Sequence, residues 1–253
     1  MSFVVFICAG LIAALGFFGG CASSLTKLKG AEYYLEEGKK SLDTKRCLKA
    51  IESFQRIVNN FPGSSIIADA QYYLGESYFC NQDYIEAIFE YQRLVDIYSS
   101  SQWLDEAQYQ IGEAHYQQLR RAELDQKETR EALVYFYQFI DDNPTSPLVD
   151  QARARIVDCR SRLAKKLYQA GELYHKQKHL EAAKLTFNDL ILSYPDTPWY
   201  FHGVARLGEV YMGQGDESRA RAFWDEVLLD SDDEKLKKQV QKLVFEADAP
   251  TEE

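Results

Sequence analysis

The chain has 253 residues, of which 46% are hydrophobic, 27% charged and 13% aromatic, a balance that excludes an intrinsically disordered protein and leaves material for one or two packed cores. With only 6 Pro and 14 Gly it is not loop-rich or collagen-like, and long regular elements are expected. A formal charge of −10 lacks the cationic footprint that nucleic-acid binding requires and works against adsorption to an anionic membrane surface.

Residues 1–20 carry no charge, and Phe3 to Phe18 is almost continuously apolar. The run is shorter than the ~20 residues that span a bilayer and ends in Gly19-Gly20 before Cys21, so residues 1–20 read as an export signal. Phe18-Gly19-Gly20-Cys21 resembles the lipobox of bacterial lipoproteins, in which small residues admit the peptidase and the Cys thiol carries the lipid. The resemblance implies that Cys21 is lipidated and opens the mature chain, with residues 21–30 as a linker. Ala22 is not the Asp that resembles an inner-membrane retention signal, so the outer membrane is the expected destination, with the protein lipid-anchored on the periplasmic side. Acyl chains buried at about 0.8 kcal/mol per CH₂ would hold the protein there without a spanning helix.

From residue 31 onward the chain is periodic. Ala is followed four residues later by an aromatic at Ala50/Phe54, Ala87/Tyr91, Ala132/Phe136, Ala183/Phe187 and Ala220/Trp224. Gly stands twelve residues before the Ala at Gly38, Gly75, Gly171 and Gly208, and Pro62, Pro144 and Pro195 stand twelve after it. The step from Gly38 to Gly75, from Gly75 to Gly112 and from Gly171 to Gly208 is 37 residues. This pattern resembles the tetratricopeptide repeat, in which small residues sit where two helices touch and an aromatic fills the gap to the next unit. The fold expected is all-α: a solenoid of five helix-turn-helix repeats. Ser146-Pro147 and Thr197-Pro198 read as an N-cap followed by proline at the first helical position.

Two irregularities interrupt the period. Gly112 to Ala132 spans 20 residues instead of 12, which places eight extra residues in the charged stretch Gln117 to Arg130 as a solvated protrusion. Pro144 to Gly171 spans 27 instead of 13, and the 14 extra residues make nearly four helical turns, so Leu148 to Lys176 reads as one long helix. It would join N-terminal repeats 1–3 (31–147) to C-terminal repeats 4–5 (148–245), with 246–253 an acidic, disordered tail.

Catalytic patterns are absent from the sequence: there is no GxSxG, phosphate-cradling Gly loop or HExxH, and no enzyme activity or cofactor is expected. His175 and His179 share helical spacing but fall in a Lys-rich turn, so no metal site is expected. The first helices of such a solenoid line its concave face, where the register places Tyr72, Phe79, Tyr109 and Tyr116 as an aromatic stripe flanked by Glu76, Glu113, Glu172 and Glu209. Such a stripe could hold an extended aromatic-rich peptide, and the same rings could equally pack against neighbouring helices. Cys47 begins one helix and Cys80 ends the next, and antiparallel packing brings those ends together, so a disulfide between them is compatible with the fold.

Beyond the generic repeat, the chain resembles the BamD family of outer-membrane β-barrel assembly lipoproteins. The likeness rests on the lipobox close to five repeats, the long helix between the third and fourth, and the run Arg162-Leu163-Ala164-Lys165, Ala170-Gly171-Glu172-Leu173-Tyr174, Ala182-Ala183 and Tyr194-Pro195-Asp196-Thr197. What it implies is a non-enzymatic subunit. Members bind the POTRA region of the barrel subunit through the C-terminal repeats, here Leu163 to Lys238, and unfolded outer-membrane clients chiefly through the N-terminal ones, alongside other assembly lipoproteins. A weaker likeness is to the CpoB group of periplasmic repeat adaptors, which coordinate cell-wall synthesis with the envelope. Those carry a coiled coil for which ten residues after Cys21 leave no room.

Overall fold

The computed structural model describes residues 29–249, so the export signal and Cys21 lie outside the described residues. Within them are eleven helices and no strand: α1 (Ala31–Asp43), α2 (Cys47–Asn60), α3 (Ile67–Cys80), α4 (Tyr84–Ile97), α5 (Leu104–Gln117), α6 (Lys127–Asp142), α7 (Val149–Lys176), α8 (Leu180–Ser193), α9 (Trp199–Gly213), α10 (Glu217–Asp230) and α11 (Glu234–Asp248). Each helix packs on the one before and the one after it, which makes an all-α solenoid of five helix-turn-helix pairs closed by α11.

The Gly-to-aromatic spacing has a steric meaning within each pair. A Cβ built on Gly38 would lie 2.5 Å from the Phe54 ring, one on Gly75 2.5 Å from Tyr91, and one on Gly208 2.2 Å from the Trp224 indole. The aromatic therefore seats on the glycine of its own repeat, where the sequence pattern suggested a gap towards the next unit. Phe54, Tyr91, Phe136 and Phe187 have no exposed surface, and burying such a ring stabilises by about 2–3 kcal/mol. The intervening Ala50, Ala87, Ala132, Ala183 and Ala220 are also fully buried, which is what lets the two backbones approach.

The first helix of most pairs ends in a turn set by one left-handed residue, seven after the glycine: Lys45 (φ 56), Gln82 (φ 67), Lys178 (φ 64) and Gly215 (φ 80). The next N–H reaches back over the turn in each case, as Asp83 N to Tyr78 O at 3.0 Å and His179 N to Tyr174 O at 2.9 Å, which satisfies carbonyls the helix end would otherwise leave open.

Helix α7 has 28 residues and a length of about 42 Å. Its first half packs Val149, Ala152, Ile156 and Cys159 against Phe136 and Phe139 of α6, and its second half seats Gly171 on Phe187 of α8. Residues 31–249 belong to one compact unit, and α6 and α7 stay packed across residues 147/148, where helix length changes. The helix starts at Val149, two residues after Pro147, and α9 starts one residue after Pro198, so neither proline takes the first helical position. Helix α11 carries three residues, Glu246 to Asp248, that the sequence placed in a disordered tail; Arg221 holds Asp248 at 2.6 Å, and Leu236 and Val240 are buried against α9 and α10.

Candidate functional site

The first helices α1, α3, α5, α7 and α9 are tied to one another by a repeating contact. The residue just after the glycine in one helix meets a residue 34 positions on, two before the corresponding glycine position of the next: Lys39 Nζ lies 4.8 Å from the Tyr73 ring, and Gln110 Nε2 donates to Glu76 Oε1 at 2.8 Å. Arg206 Nε pairs with Glu172 Oε1 at 2.6 Å, and its Nη1 with Glu209 at 2.6 Å. Across the third unit the same rung is Arg155 to Glu113, two parallel bonds of 2.8 and 2.9 Å, displaced to 42 positions by the eight-residue insertion. Burial works against the Arg206 charge, yet Glu209, Tyr168 and Glu172 together hold its proton above the ordinary arginine range. The glutamates read as an acidic flank are thus engaged by groups of the same chain.

Two of the four stripe aromatics are core residues. Tyr72, 7% exposed, stacks on Trp103 with centroids 4.5 Å apart and lies 6.0 Å from Tyr91, and burial pushes its phenol well above the usual range. Tyr109, 8% exposed, packs against Phe136 at 5.6 Å and Phe139 at 5.7 Å. The expectation that Tyr72 and Tyr109 line an open groove is therefore corrected: three residues before the glycine is a position that faces the neighbouring helices. Tyr116 is half-buried, with the Arg155 guanidinium 4.2 Å from its ring and its hydroxyl donating to Asp158. Phe79 lines open space.

That space is a hollow of about 570 Å³ among α1, α3 and α5, walled by Leu42, Tyr73 and Phe79 and edged by Lys39, Lys45 and Glu76. At its rim Cys47 and Cys80 are disulfide-bonded, with Cα atoms 5.7 Å apart, which ties the start of α2 to the end of α3. A second hollow of about 300 Å³ opens between α9 and α11, lined by Tyr168, His202, Leu236, Val240 and Leu243. Burial lowers the pKa of His202, Asp233 pulls it up and Arg206 lowers it further; the net shift is downward. The remaining Cys159 is buried in α7, where desolvation pushes its thiol up to about 12 and keeps it protonated and inert.

The insertion after α5 is not a free protrusion. Arg162 Nη1 donates to the Arg120 carbonyl at 2.6 Å, Lys166 Nζ to the Leu124 carbonyl at 2.7 Å and Gln169 Nε2 to Glu123 at 2.8 Å. The eight extra residues lie on the extra turns of α7, and the two irregularities of the sequence answer each other in space. Sequence reasoning missed this pairing, although both segments were visible as departures from the period. Among the described residues no group of three His, Cys, Asp or Glu could hold a metal ion, and no helix is long and apolar enough to cross a membrane.

The family model YfiO, described as an outer membrane lipoprotein, matches residues 28–223. The chain belongs to this family. YfiO and BamD name the same family, and its match spans repeats 1–4 and most of repeat 5 but stops short of α11. No curated protein matches the chain. Among solved structures, the YfiO-family chain is similar to a TPR repeats protein from Bacteroides fragilis (13% identity, 86% of this chain and 99% of that one, TM-score 0.47). It is also similar to a thermophilic TPR protein of Thermus thermophilus (18%, 85% and 100%, 0.37) and to the TPR2AB domain of yeast Sti1 (13%, 85% and 84%, 0.43).

Proposed function

We propose that this outer membrane lipoprotein is a non-enzymatic subunit of the machinery that assembles outer-membrane β-barrels. It would be anchored by lipid on Cys21 at the periplasmic side, bind the POTRA region of the barrel subunit through repeats 4–5, and receive unfolded barrel clients through repeats 1–3. The family match over residues 28–223 carries this reading. The geometry is compatible with it: the solenoid offers a hollow at its N-terminal end whose charged rim surrounds an aromatic wall, and Tyr73 and Phe79 supply ring surface there at small entropic cost. These two residues take the client-contact role that the buried Tyr72 and Tyr109 cannot fill.

Affinity capture of the detergent-extracted protein, with mass spectrometry of its co-purified proteins and of its N-terminal peptide, tests the assignment. Recovery of a POTRA-bearing barrel protein together with acylated Cys21 is the expected result. Recovery of cell-wall synthesis proteins with an unmodified N-terminus would overturn it.

A further inference from the structure

The loop of residues 118–126, the middle of α7 and the start of α9 enclose a hollow of about 330 Å³ lined by Arg121, Asp158, Ser161, Arg162, Lys165 and Trp199. Its charge runs against that of the protein. Segments 118–127 and 153–166 hold nine Lys or Arg against three Asp or Glu, in a chain whose net charge is −10. Four of the cations are engaged in structure, Arg155 on Glu113, Arg160 on Asp196, and Arg162 and Lys166 on the carbonyls of Arg120 and Leu124. Of the two acids at the hollow, Asp158 accepts from the Tyr116 hydroxyl and Glu123 from Gln169, and the charges of Arg121 and Lys165 also act on the Glu123 carboxylate. Arg121 is exposed and Lys165 stands 5.8 Å over the Trp199 ring, so an incoming carboxylate would share these two cations with Glu123. Helix α9 begins at Trp199 with no side chain capping its first turn, so its amide dipoles add positive potential at the same place.

We infer that this hollow is a docking site for an acidic segment of a partner protein, with a carboxylate held between Arg121 and Lys165 and an adjoining apolar side chain laid on the indole of Trp199. Three observations select that occupant. The excess of cations calls for an anion, and a recess between a loop and two helices admits a side chain but is the wrong shape for a flat bilayer surface. The recess is also pre-formed, because Arg162 and Lys166 clamp the loop to α7 through the carbonyls of Arg120 and Leu124, so little ordering cost falls on binding. The site is separate from the N-terminal hollow offered above for clients, and it stands or falls independently of that reading.

The test uses the full chain in detergent and a fluorescein-labelled, end-capped peptide Asp-Glu-Leu-Asp-Glu-Leu, followed by fluorescence anisotropy, with the Asn/Gln counterpart as comparison. The acidic peptide should bind, the amide peptide should not, and binding should weaken as salt rises from about 50 to about 300 mM. Charge reversal R121E with K165E should weaken binding by roughly tenfold or more, R121K with K165R should retain it, and R93E on the exposed face of α4 should leave it unchanged. Circular dichroism on each variant confirms the fold. Equal binding of both peptides, or binding indifferent to R121E with K165E, overturns the proposal. So does binding to phosphatidylglycerol vesicles that the same pair abolishes while the peptide stays unbound, an outcome that would reassign the patch to a membrane surface.

Discussion

Gly171 on α7 and Phe187 on α8 are in such close register that a Cβ on the glycine would stand 2.5 Å from the ring Cε1. Helix propensity alone predicts that Gly171→Ala stabilises a helix interior by about 1 kcal/mol. Here the sign should reverse, because Phe187 is fully buried and its ring has nowhere to move. We expect Gly171→Ala to lower stability by about 1–3 kcal/mol, read as a fall in Tm. Gly63, whose added Cβ meets nothing within 4 Å, provides the comparison, and its Ala variant should leave Tm nearly unchanged. A rise in Tm for Gly171→Ala would show that the ring can yield.

Much of this arrangement was legible in the sequence because one spacing recurs. Gly38, Gly75, Gly171 and Gly208 each lie sixteen residues before their aromatic, and a helix-turn-helix of fixed turn length converts that number into a contact. The rung from Arg155 to Glu113 was hidden because the eight-residue insertion moves it from 34 to 42 positions, and because the equivalent of the glycine in the first half of α7 is Val157. Tyr72 and Tyr109 were misplaced for a different reason. An aromatic three residues before the glycine satisfies helical periodicity whether it faces a groove or the adjoining helices, and only the neighbours Trp103, Phe136 and Phe139 decide between the two. The start of helix α11 is legible, because the acidic cluster 230–234 favours a following helix N-terminus and Asp233, which accepts from the N–H groups of Lys235 and Leu236, precedes the helical run Leu236, Val240 and Leu243. Its end is not, because the pairing of Asp248 with Arg221 leaves no mark in the local sequence.

The Arg155–Glu113 rung should matter more than an ordinary surface ion pair. The Glu113 side chain is only 9% exposed and also accepts from Gln117 at 2.7 Å, so losing the guanidinium strands a charge that water reaches poorly. Because Arg155 is itself 35% exposed, part of that loss is screened, and Arg155→Ala should cost about 1–3 kcal/mol. A double-mutant cycle with Glu113→Gln should return a favourable coupling of about 1 kcal/mol or more in urea unfolding. A coupling indistinguishable from zero would mean that the rung contributes alignment without stability.

The Cys47–Cys80 disulfide closes a loop between residues 33 apart and joins repeat 1 to repeat 2. Reduction should lower stability by about 2–4 kcal/mol, mainly by freeing the unfolded chain. The effect should be local, since the bond spans only α2 and α3. Hydrogen exchange is expected to speed up in α1 and α2 on reduction and to stay unchanged in α8 to α10. The Cys47→Ser, Cys80→Ser protein should already show the faster exchange and should not respond to dithiothreitol. Uniform acceleration along the whole chain would argue that the solenoid opens as a single unit.

His202 should give the fold a pH dependence of known sign. Its folded pKa lies below the ordinary 6.5 because burial between α9 and α11 disfavours the cation, with Asp233 opposing and Arg206 reinforcing the shift. The unfolded chain therefore takes up the proton first as pH falls. The contribution of neutral His202 is fully present above about 6.5 and is lost progressively as pH drops below it, until the folded state also binds the proton. The carboxylates of Asp196 and Asp233, held below the usual range by the Arg160 bond and by backbone N–H groups respectively, lose their contributions at lower pH, below their ordinary value of 3.8. A profile of Tm against pH should accordingly fall in two stages. Replacing His202 by Phe, which keeps the ring beside Tyr168 and Trp199, should flatten the upper stage and leave the lower one in place. If the upper stage persists in His202→Phe, another group titrates there and the burial of His202 is not its cause.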